Sequence, residues 1–523
     1  MRQVLSSFKY KFKYKFYLLI TTVILVPQAV YAQDSEGATA SAGIIESVFQ
    51  RIIDALNLVF YFKIGGENGI PFIVLWLVAG AVFFTLRMKF INVRAFKHAI
   101  DIVRGKYDDP EDEGDVSHFQ ALAAALSGTV GIGNIAGVAI AIRLGGPGAA
   151  FWMTVAGFLG MSSKFAECTL GQKFRTIKPD GTVGGGPMYY LSRGLSSIGM
   201  RGFGKGLGVI YAVFCAIATM GAGNMFQANQ AYAAVSNVVP FFENASWLFG
   251  LILVAIVGLV ILGGIERIGA VAGFLVPFMA VIYALACVWV MLVRFTDIPG
   301  AIGTIISSAF VPQAVAGGLL GAIVIGFQRA VFSNEAGIGS AAIAHSAART
   351  DEPVREGIVA LLEPFIDTMF ICNMTAMVIV LTGVYADPAA ADLDGARLSA
   401  ASFATIIGWF PYVIAIAGFL FAISTMISWS YYGQMAWSYL FGDATVNIYK
   451  ALFLFCGFVG SIINLQLVLQ FSDILLLAMS IPNLLGCFFL SGIVASELES
   501  YMNRLNSGEM IEAVMEAKER VLR

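Results

Sequence analysis

Two runs of small and polar residues interrupt otherwise apolar stretches about two hundred residues apart. The first is Gly128-Thr129-Val130-Gly131-Ile132-Gly133-Asn134-Ile135-Ala136, and the second is Phe332-Ser333-Asn334-Glu335-Ala336-Gly337-Ile338-Gly339-Ser340-Ala341. A helix broken inside a bilayer begins its second half with unpaired N–H groups and ends its first half with unpaired carbonyls. In the first run the N–H groups belong to about Gly133, Asn134 and Ile135, an arrangement suited to a carboxylate. Carbonyls around Gly128 to Gly131 suit a small cation, and Gly131 and Gly133 let a ligand approach the backbone. The second run reverses the geometry, so carbonyls near Phe332 and Ser333 face an ammonium group or another cation. Glycines also permit close helix packing, but two breaks in matching places point to a binding site between two halves of a transporter.

Polar residues in other apolar stretches belong to the same depth. Asn224 and Gln227 stand three apart and are expected to share a helix face, with Asn229 just beyond. Ser424, Thr425, Ser428, Trp429 and Ser430 interrupt a further span, and their hydroxyl oxygens suit a desolvated alkali cation. Charges inside a membrane cost roughly 3 kcal/mol each, so they imply pairing or function. Arg329, Glu335, Glu363 and Asp367 are the important ones. Glu363 and Asp367 lie four apart, and Arg329 is expected to neutralise one of them in an ion-pair network. The sharper alternative makes Glu363 or Asp367 a proton carrier. Lys164 and Glu167, three apart, are expected to pair with each other near the cytoplasmic end.

Other chemistries find little support. The six cysteines sit inside apolar runs without metal-like spacing and read as small buried hydrophobes. The three histidines are unclustered in sequence, so no histidine-based metal site or other cofactor is expected. No Gly-x-x-x-x-Gly-Lys-Ser/Thr loop occurs, so nothing here hydrolyses a nucleotide. An enzyme would need a nucleophile–base pair that is not visible, and an ion channel a repeated selectivity loop. An ion gradient must then drive transport. One positive charge moving down about 100 mV supplies roughly 2.3 kcal/mol, which concentrates a neutral zwitterion some fortyfold.

The elements that must position these groups follow from composition. Hydrophobic residues make up 58% of the 523 and charged residues 13%, with a mean hydropathy of +0.80. Apolar runs of about twenty residues recur from end to end, as membrane-crossing helices require. An all-α polytopic membrane protein with eleven transmembrane helices is expected. Residues 1–32 have a basic start, an apolar run and Val30-Tyr31-Ala32, the layout of a signal peptide cleaved after Ala32. Residues 33–69 form an external amphipathic segment, and 70–90 hold a leading span ending in Arg87 and Lys89. By the positive-inside rule that end is cytoplasmic.

Five spans within 117–293 and five within 298–494 make a 5+5 inverted repeat, because the two broken helices start from opposite sides. Within this scheme one span each covers Leu207–Val235, Ile358–Leu381 and Val468–Val494. The acidic run from Tyr107 to Asp115 reads as a solvated turn, and 495–523 as a charged cytoplasmic helix. The mature N-terminus lies outside a bacterial inner (plasma) membrane and the C-terminus in the cytoplasm.

The run Thr129-Val130-Gly131-Ile132-Gly133-Asn134-Ile135-Ala136-Gly137-Val138 resembles the alanine or glycine:cation symporter family. So do Gly145-Gly146-Pro147-Gly148, Lys164-Phe165-Ala166-Glu167-Cys168-Thr169-Leu170, Gly186-Pro187-Met188-Tyr189-Tyr190, the second break and Trp429-Ser430-Tyr431-Tyr432-Gly433. The resemblance extends from about Ile70 to about Met502. It implies the leucine-transporter fold and sodium-coupled uptake of alanine, glycine or a similar small amino acid. Carried onto this chain, the substrate would touch Thr129, Gly131, Gly133, Asn134, Asn224, Gln227, Phe332 and Trp429. Sodium would lie between carbonyls near Gly128 and Gly131 and the hydroxyls of Ser424 and Thr425. Ile132 departs from the pattern, since many members carry a small or hydroxylated residue there.

Overall fold

In the computed structural model residues 60–522 are described, except 67–68, 110, 179–181 and 311–317, together with Gln50, Ile53, Asp54 and Asn57. The expected signal segment 1–32 and most of the segment 33–69 lie outside the described residues. The chain divides into two units, Met1–Ala55 and Leu56–Arg523, and every element below belongs to the second.

Helices dominate. In chain order the principal ones are α1 (Phe72–Arg87), α2 (His118–Thr129), α3 (Val138–Gly145), α4 (Gly148–Lys173), α5 (Arg201–Met220) and α6 (Phe226–Ser236). They continue with α7 (Ser246–Ile261), α8 (Gly264–Val293), α9 (Gly318–Asn334), α10 (Ala341–His345), α11 (Pro353–Val359) and α12 (Asn373–Thr382). The last are α13 (Phe410–Phe441), α14 (Val446–Gly460), α15 (Leu465–Ala478), α16 (Ser480–Ser507) and α17 (Glu509–Leu522). Two antiparallel ladders of two residues per strand, Lys63–Ile64 with Ile70–Pro71 and Thr176–Ile177 with Val183–Gly184, are the described sheets.

Among the described residues five helical stretches are long and apolar enough to cross a membrane. They are Arg201–Ser236, Arg267–Val293, Pro353–Thr382, Phe410–Phe441 and Leu465–Ser507, and α2 with the segment through Gly145 makes a sixth. Large apolar side chains such as Leu259, Leu262, Phe274, Leu285, Leu292 and Ile416 face outward. An apolar belt of this kind is stable against lipid tails and costly in water. α1 and α7, at 16 residues each, are shorter apolar helices.

Three predicted spans are more broken than their composition implies. Leu207–Val235 is α5, a π-helical segment Gly221–Met225 and α6. Ile358–Leu381 contains the end of α11, Leu362–Pro364, a π-helical segment Phe365–Cys372 and α12. Val468–Val494 is two helices that meet at Met479. Pro364 and Pro482 lie at two of these irregularities, where each removes an N–H from the helical ladder. α16 also runs on to Ser507, and Gly508, at φ +88°, ends it in the left-handed conformation.

Local signals explain how the broken helices are held. Ser117 and Gln120 form a reciprocal capping box at the start of α2. α4 and α9 pack through small residues: a Cβ added at Gly326 would lie 2.6 Å from Trp152 Cβ and 2.8 Å from the Ala149 carbonyl. Gly160 meets Ala336 in the same way.

The acidic run from Tyr107 to Asp115 keeps Asp108, Glu111 and Glu113 exposed, as a solvated turn would, but it also holds two arginines. Arg355 Nη1 donates to the Tyr107 carbonyl at 2.9 Å and to Asp112 Oδ2 at 3.4 Å. Arg175 Nη2 donates to the Glu113 carbonyl, and Asp115 Oδ2 accepts from the Val183 N–H. Guanidinium groups carry several fixed donors that need acceptors once covered, and this loop supplies them. Burial raises the Asp112 carboxyl from 3.8 to about 6, against the opposing pull of Arg355.

Candidate functional site

The first break opens where Val130 leaves the helix at φ −75°, ψ 87°. A π-helical turn, Gly133–Gly137, leads into α3, and the two halves meet at 49°. The N–H groups of Asn134 and Ile135 bond back to the carbonyls of Gly131 and Ile132, both at 3.1 Å. Side chains instead take the donors two or three residues earlier. Gly131 N–H donates to Asn134 Oδ1 at 2.8 Å, and Ile132 N–H to Gln227 Oε1 at 3.3 Å. The expectation for Asn134 and Ile135 is thus displaced toward α2, because the tight turn pairs those two groups locally.

In the second break α9 ends at Asn334, and Glu335 takes φ 59°. A left-handed conformation costs a non-glycine residue about 1–2 kcal/mol. It is held because Asn334 Oδ1 accepts from Ala336 N–H at 2.9 Å and Ser340 Oγ donates to the Glu335 carboxylate. Gly337 and Gly339, at φ +91° and +82°, need the freedom of glycine before α10 resumes.

One buried knot ties the two breaks together. Asn134 Nδ2 donates to Asp367 Oδ1 at 2.5 Å and to Ser333 Oγ at 3.2 Å. Ser333 Oγ and Thr368 Oγ1 donate to Asp367 Oδ2 at 2.8 and 2.7 Å. Inside a membrane a carboxyl ringed by neutral donors either holds a proton or is stabilised by a cation. The Phe332 ring lies 3.8 Å from where a Cβ on Gly133 would be, and it packs edge-on against Phe226.

α13 closes the other side of the first break. Trp429 Nε1 donates to the Gly128 carbonyl at 3.1 Å. Ser127 and Ser424 exchange hydroxyl–carbonyl bonds at 2.7 and 3.4 Å. Thr425 is buried beside Gly131, and its Oγ1 has no hydrogen-bond partner among the described residues. Ser428 Oγ is in the same position.

Two of the expected contact residues already hold other hydrogen-bond partners. Asn224 Nδ2 donates to the Phe453 carbonyl on α14, whereas Gln227 reaches the first break. The π-helical turn at Gly221–Met225 changes the helical phase, so three residues of spacing no longer place both on one face. Thr129 Oγ1 bonds back to Ala125 and Leu126 of its own helix.

The charged groups pair differently from the sequence-based expectation. Arg329 pairs with Asp473 on α15 rather than with Glu363 or Asp367. Lys164 pairs with Glu363 at 2.8 Å, not with Glu167, which accepts from Asn483 Nδ2 at 2.7 Å. Two of the three histidines, His118 and His345, share the carboxylate of Glu356. Cys168, His345 and Glu363 place polar atoms within 4.8 Å of one another, a grouping hidden by their separation in sequence. The cysteines are unbridged, five buried and Cys456 partly so.

With this geometry in view, residues 48–515 match the model of the sodium:alanine symporter family. The chain belongs to that family. It is 43% identical over 440 residues to the sodium/alanine symporter AgcS of Methanococcus maripaludis, covering 84% of this chain and 96% of the relative. The amino-acid carrier protein AlsT of Bacillus subtilis is 35% identical, with 84% and 91% covered. The probable sodium/glutamine symporter GlnT of the same organism is 33% identical, with 89% and 93% covered. Among solved structures, MhsT in complex with L-phenylalanine aligns with a TM-score of 0.53 at 14% identity, over 77% of this chain and 99% of that one. That likeness shows the fold. The chain is a multi-pass membrane protein of a symporter family, and the residues at both of its helix breaks are buried.

Proposed function

We propose that the protein imports a small neutral amino acid of the alanine or glycine class together with sodium, by alternating access. The observation that supports this reading is the Asn134–Ser333–Asp367 knot, which links the two broken helices. Substrate binds against Thr129, Gly131, Gly133, Asn134, Gln227, Phe332 and Trp429, with Asn224 supporting the site from behind. Sodium is held by carbonyls near Gly128 and Gly131 and by the hydroxyls of Ser424 and Thr425. The unpartnered Thr425 Oγ1 beside Gly131 supports that placement.

The reading includes eleven spans, a leading helix at 70–90 and inverted repeats at 117–293 and 298–494. The N-terminus lies outside an inner membrane and the C-terminus is cytoplasmic. A proton-coupled alternative using Asp367 draws support from its shell of neutral donors. Glu363, the other carboxyl of that alternative, is paired with Lys164 and His345.

Radiolabelled alanine uptake into proteoliposomes tests the reading. Uptake is expected under a sodium-only gradient, and Asn134→Ala and Trp429→Ala abolish it while the protein still inserts. Uptake under a proton-only gradient alone overturns sodium coupling, and unchanged kinetics in both variants remove the site.

A further inference from the structure

Behind the second break runs a continuous line of hydrogen-bonded ionisable side chains that no transport role so far assigned here uses. His118 Nδ1 meets Glu356 Oε1, and Glu356 Oε2 meets His345 Nδ1 at 2.5 Å. His345 Nε2 meets Glu363 Oε1 at 2.6 Å, and Glu363 Oε2 meets Lys164 Nζ at 2.8 Å. All five side chains are buried, and they come from α2, α11, α10, the Leu362–Pro364 turn and α4. At the outer end His118 Nε2 lacks a hydrogen-bond partner among the described residues, and the half-exposed Asp108 carboxylate lies 3.9 Å away. A gap of that length is one a water bridges.

The hydrogen-bond inventory makes the line unusual. His345 presents both ring nitrogens to carboxylate oxygens, yet a neutral imidazole has a single N–H. Both contacts are satisfied only when His345, or one of the two carboxyls, carries an additional proton. Charge counting agrees. With Glu356 and Glu363 ionised, Lys164 protonated and both histidines neutral, the group carries one net negative charge, and one further proton brings it to zero. A buried cluster favours that neutral count.

We propose that this line is a proton path leading from the Asp108 face to the Lys164 end beside the second break. With the additional proton resting on Glu356 Oε2, a proton taken up at His118 Nε2 releases the Nδ1 proton to Glu356 Oε1. Glu356 passes one to His345 Nδ1, and His345 Nε2 passes one to Glu363, beside Lys164. Each transfer breaks one N–H or O–H bond and forms another, so no electrons move. The groups facing the path are Asp108 at its mouth, Arg175 beside Glu356, and Cys168 and Glu167 on α4. Glu335, Asp367 and Tyr432 face its inner end. Occupancy of the path therefore follows pH on the Asp108 face. This rests on the symport reading above, in which that face is cytoplasmic.

The test uses the full chain in proteoliposomes sorted for orientation. Sodium-driven alanine uptake by the wild type is measured first, and its absence would count against the symport reading rather than the path. Lowering pH from 8 to 6 on the Asp108 face alone is expected to change the rate by about ten- to a hundredfold, since one group's protonation varies up to a decade per pH unit. The same change on the opposite face leaves the rate within about twofold. In His345→Gln and Glu356→Gln the response on the Asp108 face is lost while half-saturation by sodium is unchanged. A wild-type rate indifferent to pH on that face, or a response that survives in both variants, overturns the path. If neither variant folds, infrared difference spectra of the wild type between pH 8 and 6 decide. A carboxyl or imidazolium band that appears, shifts in deuterium oxide and is missing from the folded variant His118→Asn supports the path, and absence of any such band refutes it.

Discussion

Thr425→Val is the most discriminating single change at the proposed cation site. Valine keeps the shape of threonine and replaces only the hydroxyl, whose oxygen lies buried beside Gly131 without a hydrogen-bond partner. A buried polar group left unsatisfied costs about 1–3 kcal/mol. Without sodium, the variant should therefore melt at the same temperature as the wild type or higher. With sodium bound, the hydroxyl contributes an interaction with a full charge, worth about 1.5–3 kcal/mol. At about 1.4 kcal/mol per tenfold, its loss raises half-saturation by sodium roughly 10- to 140-fold. The assays are alanine uptake titrated with sodium and melting of the purified protein with and without sodium chloride. At a hundred times its dissociation constant a ligand stabilises by about 2.7 kcal/mol, and about half to nine-tenths of that increment should vanish in the variant. A variant that melts lower without sodium, or that keeps the wild-type sodium dependence, would refute the reasoning and make the hydroxyl structural.

Asn134→Ala removes the amide that joins the Gly131 N–H, Ser333 and Asp367. Uptake should fall to background and unfolding in detergent should show about 2–4 kcal/mol of lost stability. Arg329→Met leaves the part-buried Asp473 without its partner and should cost up to about 3–5 kcal/mol, most of it recovered in the double variant with Asp473→Leu. Unfolding midpoints of the two proteins check this, and equal midpoints would show that the pair contributes nothing. Asp112 supplies a pH test, because burial raises its carboxyl from 3.8 to about 6. Between about 4 and about 6 the folded chain keeps a proton that the unfolded chain releases, so stability falls as pH rises through that window. Asp112→Asn should flatten this slope in melting curves taken against pH.

The two breaks were legible in the sequence because their causes are local. Gly131, Gly133, Gly337 and Gly339 interrupt apolar runs, and at Gly337 and Gly339 the backbone adopts the positive φ that glycine permits. Capping at Ser117, the apolar helical runs and the family motifs are likewise written in short stretches of chain. Partner choice was not legible. Lys164 stands three residues from Glu167 yet bonds Glu363, and Arg329 bonds Asp473 on a distant helix. Asn224 and Gln227 diverge because a π-helical turn shifts the phase that an ideal helix would keep. His118 and His345, isolated in the chain, meet on Glu356 only because α2, α10 and α11 pack side by side. Backbone irregularity follows from residue type and near neighbours. Pairing across helices depends instead on crossing positions and helical phase, which the packing of the whole bundle sets.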